Sequence, residues 1–103
     1  MNRHLKIALL ATIGATCVAA FGQGDIYKAK CQMCHGQTGL ADTPAGKALQ
    51  AHSFSSPDYI KLSDDSLIAI VKNGKGKMPA FSGKITDGEI TSLVTYTRTL
   101  GKK

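Results

Sequence analysis

The stretch Cys31-Gln32-Met33-Cys34-His35 decides how this sequence is interpreted. Residues three and four apart lie on one face of a helical turn, so Cys31 and Cys34 present two thiols side by side. His35 follows directly and brings an imidazole nitrogen to the same place. Two such thiols can bond the two vinyl groups at one edge of a haem, while the imidazole coordinates the iron. The spacing is that of a c-type haem attachment site.

The N-terminal segment has the layout of a secretory signal peptide. After a short basic start, residues 7–24 carry no charge, and Val18, Ala20 and Gly22 supply the small residues of a cleavage site. We predict a signal peptide over residues 1–22, with cleavage after Ala20 or Gly22. The alternative is an uncleaved membrane anchor, but this uncharged stretch is weakly apolar and only just long enough to span a bilayer.

Other interpretations of the two cysteines fit the sequence less well. A zinc ribbon needs four ligands, and the chain has no second cysteine pair. A thioredoxin-like dithiol needs a βαβ context, and no segment has the pattern of a paired strand. A chance match in an ordinary helical protein is the third alternative. The export signal favours haem, because covalent haem attachment takes place outside the cytoplasm.

The composition limits the size and the partners of the exported chain. The full sequence has 103 residues and a formal net charge of +6, which falls to +4 when Arg3 and Lys6 leave with the signal peptide. A chain of about 80 residues buries a small core, and such chains usually need a disulfide, a metal or a cofactor. The modest charge argues against nucleic-acid binding. We expect residues 23–103 to form one periplasmic domain, without a membrane span after cleavage.

The hydrophobic pattern of this domain is helical, and the predicted fold class is all-α. Ser63 is a candidate N-cap, Asn73-Gly74 a helix end, and Thr86 with Glu89 a capping box. Residues 36–46 are rich in glycine and are predicted to be a loop. Four or so short helices are expected: from about Asp25, as its cap, to Cys34; from Ser56-Pro57 to about Leu62; from about Asp64 to Lys72; and from Thr86 onward.

Met78 is the candidate for the second iron ligand, on the haem face opposite the attachment motif. It lies in the glycine-rich segment Asn73–Phe81, between two predicted helices, and is followed by Pro79. Glycine lets the backbone approach the porphyrin, and the proline stiffens the loop behind the sulfur. Met33 lies within the attachment turn and cannot reach the opposite face. His52 is the runner-up, although a loop histidine without a metal role is the simpler interpretation.

The chain resembles the class I c-type cytochromes of the short bacterial and algal type. It is also similar to the haem modules of some multi-subunit oxidases and dehydrogenases. The resemblance covers about Gly24 to Leu100. It rests on Cys31–His35 followed by Gly36, on Met78-Pro79 with Phe81, and on the aromatic pair Tyr27 and Tyr96.

This resemblance implies a set of structural expectations. Short helices wrap around one covalently bound haem c, whose iron has His35 and Met78 as axial ligands. A proline carbonyl usually accepts the proton of the proximal histidine in this family, and Pro44 is the only candidate here. A haem propionate would be bound by Tyr59, Lys47 or a backbone amide. The first and last helices are expected to cross at Gly24, Tyr27, Leu93 and Tyr96.

The resemblance also implies a function, a one-electron carrier in the periplasm that is not an enzyme. Six-coordinate iron leaves no position for a substrate, and the methionine ligand favours ferrous iron. The expected partners are redox proteins, and the carrier is expected to be a monomer. A cluster of lysines marks either a docking face for an acidic partner or a solvated loop: Lys72, Lys75, Lys77 and Lys84.

Two alternatives to a free carrier remain open at this point. The chain could be a haem-bearing subunit or domain of a membrane-associated oxidase or dehydrogenase complex. It could also be a peroxide- or gas-reactive haem module, in which Met78 leaves the iron. The sequence supplies no distal acid or base for such chemistry, since the only other histidine after cleavage is His52.

Overall fold

The computed structural model describes residues 22–102, and the fold of this part of the chain is all-α, as predicted. Two isolated β-bridges occur in it, but no strand. The predicted signal peptide lies outside the described residues, except for Gly22. In chain order the helices are α1 (Gln23–Lys30), α2 (Gln32–His35), α3 (Pro44–Ala48), α4 (Pro57–Ile60), α5 (Asp64–Asn73) and α6 (Asp87–Gly101).

The first predicted helix is in fact two helices, because the chain leaves helical geometry at Cys31. The φ of Cys31 is −119°, far from the helical value of about −63°, although its N–H still bonds the carbonyl of Tyr27 at 2.8 Å. The prediction that Asp25 caps α1 was also wrong. Gly22 is the N-cap, and Asp25 lies in the first turn, where its charge suits the positive end of the helix dipole.

The segment predicted to be a loop contains the short helix α3. Thr43 caps this helix by accepting a hydrogen bond from the N–H of Gly46 at 2.9 Å, and Pro44 is the first helical residue. Proline is favoured at that position because its missing N–H would have no partner there. The break at Cys31 and the presence of α3 explain why six helices are described where about four were predicted.

The other three helices begin where they were predicted, and the predicted caps Ser63 and Thr86 are confirmed. Ser56, Ser63 and Thr86 each accept a backbone N–H bond at the start of α4, α5 and α6. Glu89 completes the capping box of α6, since its carboxylate accepts the N–H of Thr86 at 2.8 Å. Gly74 ends α5 as its C-cap.

The core forms where α1 crosses α6, at the residues expected for this crossing. The rings of Tyr27 and Tyr96 have their centroids 5.2 Å apart, and Leu93 is buried beside them. A Cβ atom on Gly24 would lie 3.8 Å from the Tyr96 ring, which is ordinary contact, so the crossing does not demand glycine here. Within residues 22–102 no helix is long and apolar enough to cross a membrane.

Arg98 of α6 fixes the connection between α4 and α5. Its guanidinium lies over the Tyr59 ring at 5.1 Å, bonds the carbonyl of Leu62 and donates to the Asp64 carboxylate at 3.0 Å. The hydroxyl of Tyr59 is 2.5 Å from the hydroxyl of Thr97. Because the Thr97 hydroxyl donates to the carbonyl of Val94 at 2.9 Å, Tyr59 is the donor in this pair, and its proton is not available to a haem propionate.

Candidate functional site

The attachment turn, residues Cys31–Gly36, brings the two cysteines and His35 together on one turn of helix. The N–H groups of Cys34 and His35 both bond the carbonyl of Cys31, at 3.3 and 3.0 Å. Both cysteines are half-buried free thiols. The spacing in the sequence therefore gives the local arrangement that a double thioether attachment requires.

Burial keeps the Cys31 thiol protonated, which is the form that adds to a vinyl group. Burial raises the pKa of the Cys31 thiol to about 11, and the neighbouring Cys34 adds to this effect. Such a thiol keeps its proton at neutral pH. Adding an S–H group across a vinyl double bond uses both the sulfur and the proton.

The ring of His35 has a fixed tautomer that leaves one nitrogen available. Its Nδ1 atom lies 3.0 Å from the carbonyl oxygen of His52, and because a carbonyl only accepts, Nδ1 must carry the proton. Burial lowers the pKa of His35, so the ring is neutral at pH 7 with a free lone pair on Nε2. The expectation that Pro44 supplies this carbonyl was wrong, since the carbonyl of His52 accepts the bond, and Pro44 is instead the first residue of α3.

Phe54 packs against the same imidazole and limits its rotation. The two rings are stacked with centroids 4.7 Å apart. The N–H of Phe54 bonds the carbonyl of Gly39 at 2.8 Å, and a Cβ atom on Gly39 would lie 2.6 Å from the Phe54 ring. Because Gly39 has a φ of +79°, no other residue would fit both this conformation and this contact.

The backbone carbonyls of the attachment turn are held by groups from elsewhere in the chain. The hydroxyl of Tyr27 donates to the carbonyl of Gly36 at 2.5 Å, and the hydroxyl of Thr43 donates to that of Met33 at 2.6 Å. The N–H of Ala41 bonds the carbonyl of His35 at 2.8 Å. These contacts hold the turn in one conformation.

Sequence reasoning missed several residues that support this turn. Thr43 could have been recognised, because threonine before proline is a signal for a helix start. The others have no such signal: the His52 carbonyl, Phe54 behind the imidazole, and Gly46, whose backbone packs on the carbonyl of Cys34.

Met78 lies on a separate segment, in a tight turn that we call the methionine turn, residues Lys75–Met78. Lys75 and Met78 exchange two backbone hydrogen bonds, at 3.1 and 3.0 Å. Gly76, the first central residue, has a φ of +58°, as a type II′ turn requires. The Met78 residue is half-buried.

Gly74 connects α5 to the methionine turn in a conformation that only glycine adopts. Its φ and ψ are +79° and 168°, and a Cβ atom there would lie 2.7 Å from the carbonyl oxygen of Met78. After the turn, the N–H of Phe81 bonds the carbonyl of Val71 at 2.9 Å and that of Ser82 bonds Lys72 at 3.1 Å. The loop is therefore anchored at its base to the end of α5.

The four lysines of the predicted cluster have different surroundings. Lys72 is only partly exposed and lies 3.5 Å from the Asp87 carboxylate. The Lys84 amine is 5.8 Å from the centre of the Phe81 ring. Lys75 and Lys77 are exposed on the methionine turn. These two lysines are the best placed of the four to meet another molecule.

Comparison with known proteins shows the family to which this chain belongs. The family model described as cytochrome C oxidase, cbb3-type, subunit III matches residues 22–96. The chain is 36% identical over 77 residues to cytochrome c6 of Leptolyngbya boryana, across 71% of this chain and 82% of that protein. This chain is a class I c-type cytochrome. As a member of this family it carries one covalently bound haem c with its iron, and it transfers electrons.

Further similarities cover nearly the whole cytochrome. It is 32% identical over 107 aligned residues to cytochrome c6 of Picosynechococcus sp., across 93% of this chain and 92% of that protein. Its structure is similar to that of the c-type cytochrome KustC0563, with a TM-score of 0.72 and 30% identity. That likeness covers 79% of this chain and 99% of the other. The alternatives of an oxidase subunit and a gas-reactive module are not favoured by these relatives.

Proposed function

We propose that this cytochrome moves single electrons between redox proteins, with its haem attached through Cys31 and Cys34 and its iron held between His35 and Met78. The observation that carries the proposal is the neutral His35 ring, fixed by the His52 carbonyl with Nε2 free. It lies on the same turn as two unpaired thiols. No other group of side chains in residues 22–102 offers this combination.

The four residues would divide three tasks. Bound haem would supply an iron that alternates between the ferric and ferrous states. Cys31 and Cys34 would hold the haem as thioethers, since each S–H group can add across a vinyl double bond, with its proton going to the other vinyl carbon. His35 would donate its Nε2 lone pair to the iron, and the bond from Nδ1 to His52 makes that nitrogen a stronger donor. The thioether of Met78 would favour ferrous iron and raise the reduction potential.

We further propose that the protein has no catalytic role of its own. With His35 and Met78 on the iron, no coordination position is left for a substrate. Among residues 22–102 the only histidine besides His35 is His52, and its backbone carbonyl accepts the bond from Nδ1 of His35. Carbon monoxide added to the reduced protein tests this proposal. We expect no spectral change, whereas rapid binding would indicate a reactive iron with a displaceable Met78.

The proposed location is the periplasm, after removal of residues 1–20 or 1–22. The mass of the protein recovered from that compartment tests this proposal directly. We expect a monomer that lacks the N-terminal segment and carries one haem. A mass that includes the whole N-terminal segment would instead favour an anchored protein.

Lys75 and Lys77 are proposed to meet an acidic surface on the redox partner. Opposite charges accelerate association, and salt screens them over about 10 Å at 0.1 M. A carboxylate-coated electrode can stand for the partner in an experiment. We expect the double variant Lys75→Glu and Lys77→Glu to lose most of the salt dependence of the electron-exchange rate.

The matched control reverses Lys28 and Lys30 of α1, which are also exposed. Both double variants change the net charge equally, so only a local effect separates them. If both lower the salt dependence to the same extent, net charge alone is responsible and the proposed docking surface is wrong.

A further inference from the structure

Tyr27 carries a hydroxyl group that its place in the core does not require. It is the least exposed aromatic residue of the described chain, at 1%, in the crossing between α1 and α6. A phenylalanine ring would fill the same space without a polar atom to satisfy. The hydroxyl instead donates to the carbonyl oxygen of Gly36, 2.5 Å away and nine residues along the chain.

Gly36 is the residue that follows His35 and ends the attachment turn. Its φ and ψ are +83° and 160°, a conformation that only glycine adopts readily. Its carbonyl also accepts the N–H of Gly39, at the longer distance of 3.2 Å. The hydrogen bond from the Tyr27 hydroxyl is therefore the shorter of the two bonds that orient the peptide after His35.

The ring of Tyr27 is also connected to the imidazole of His35, because Phe54 packs against both rings. The Tyr27 and Phe54 rings meet edge to face with centroids 6.2 Å apart, and Phe54 stacks on the imidazole at 4.7 Å. Tyr27 thus touches both the backbone that follows His35 and the ring that packs behind its imidazole.

We infer that Tyr27 is a positioning residue. Through Gly36 it fixes the orientation of His35, the residue on the proximal side of the iron. This inference rests on the proposed role of His35 as an iron ligand. Loss of the hydroxyl leaves the Gly36 carbonyl with one weaker bond, so the His35 backbone gains freedom. The bond from Nδ1 to His52 then changes its geometry, and with it the donor strength of Nε2.

The test compares Tyr27→Phe with Tyr59→Phe in the haem-loaded protein. Tyr59 is a close match, because it is also buried, also touches Phe54, and also makes a 2.5 Å hydrogen bond through its hydroxyl. Its partner is Thr97 on α6, away from the attachment turn. Both variants lose one hydrogen bond made by a buried tyrosine, so a general loss of stability is common to them.

Two measurements separate positioning from stability. In Tyr27→Phe we expect a change in the midpoint potential and in the hyperfine-shifted NMR resonances of the His35 ring. In Tyr59→Phe we expect both to remain unchanged. We also expect the amides of Gly39 and Ala41 to exchange about fivefold faster in Tyr27→Phe alone, as the loss of one hydrogen bond implies. Equal shifts in both variants, or none in Tyr27→Phe, would overturn the inference.

Two further results keep this test decisive. If Tyr27→Phe does not fold, Tyr27 can be fluorinated instead, which changes the acidity of its hydroxyl without removing it. The midpoint potential should change when Tyr27 is fluorinated and should not change when Tyr59 is fluorinated. If the unaltered protein lacks hyperfine-shifted His35 resonances, the proposed ligand is wrong and the inference falls with it. If those resonances are present but do not shift when Tyr27 is altered, the inference about Tyr27 fails and the proposed role of His35 stands.

Discussion

The attachment turn and the methionine turn are built in opposite ways. Groups that lie outside the attachment turn hold it, namely the hydroxyls of Tyr27 and Thr43 and the His52 carbonyl. The methionine turn is held by two backbone hydrogen bonds between its own ends, and the residues after it are hydrogen-bonded to the end of α5. Segments with few outside contacts open at low free energy. We therefore expect disturbance of the protein to release Met78 from the iron before His35.

The largest effect is expected from removal of the two thiols of the attachment turn. In the double variant Cys31→Ala and Cys34→Ala no sulfur is left to bond the vinyl groups. The mass of the denatured protein should then lack the haem increment, and a haem stain should be negative. Gln32→Ala in the same turn is the control and should keep the haem. Covalent haem in the double variant would contradict the attachment site.

A large but more local effect is expected at Gly74, beside the methionine turn. An alanine there would adopt a glycine-only conformation and would place its Cβ 2.7 Å from the Met78 carbonyl oxygen. We expect Gly74→Ala to cost about 1–3 kcal/mol and to lower the temperature at which the far-red methionine–iron band disappears.

Gly76→Ala is the matched control for this experiment. Gly76 also has a positive φ, but a Cβ atom on it would meet nothing within 4 Å. The band should survive to a higher temperature in this variant than in Gly74→Ala. If the two variants behave alike, the contact between Gly74 and Met78 does not position the methionine.

A smaller loss of stability is expected at Thr43. Thr43→Val keeps the shape but removes the donor to Met33 and the acceptor for Gly46. We expect the free energy of unfolding in guanidinium to fall by about 1–2 kcal/mol. Thr86→Val, which removes a cap far along the chain, should cost less because it leaves no carbonyl of the attachment turn unpaired. Equal losses would mean that the bond to Met33 contributes nothing.

The smallest effect is expected at His52, since the protein uses its carbonyl and not its exposed side chain. In His52→Ala the absorption spectrum and the midpoint potential should stay unchanged, and stability should change by no more than about 0.5 kcal/mol. Loss of the low-spin spectrum in His52→Ala would show that the imidazole of His52 is an iron ligand.

Features with local causes could be predicted from the sequence. The caps Ser56, Ser63 and Thr86 act within one turn of the residues they bond, so the sequence around each carries the whole signal. The arrangement of Cys31–His35 is local for the same reason. The glycine requirement at Gly74 follows from the end of a helix and the turn that comes next.

Features that depend on distant contacts could not be predicted. The carbonyl that accepts the His35 proton belongs to a residue 17 positions away, and any residue type has such a carbonyl. The break at Cys31 is not marked by a glycine or a proline, so the sequence does not signal it. No sequence pattern marks Arg98, and only the fold brings it to Tyr59 and Leu62.

The central claim is that Met78 and His35 hold the iron from its two sides, and the ferric absorption spectrum of Met78→Ala tests it most directly. The unaltered protein should show the far-red methionine–iron band, and Met78→Ala should lose it. Met33→Ala, which removes an exposed methionine from the attachment turn, should retain it. A band that persists in Met78→Ala, or that is missing from the unaltered protein, would contradict the proposed ligation.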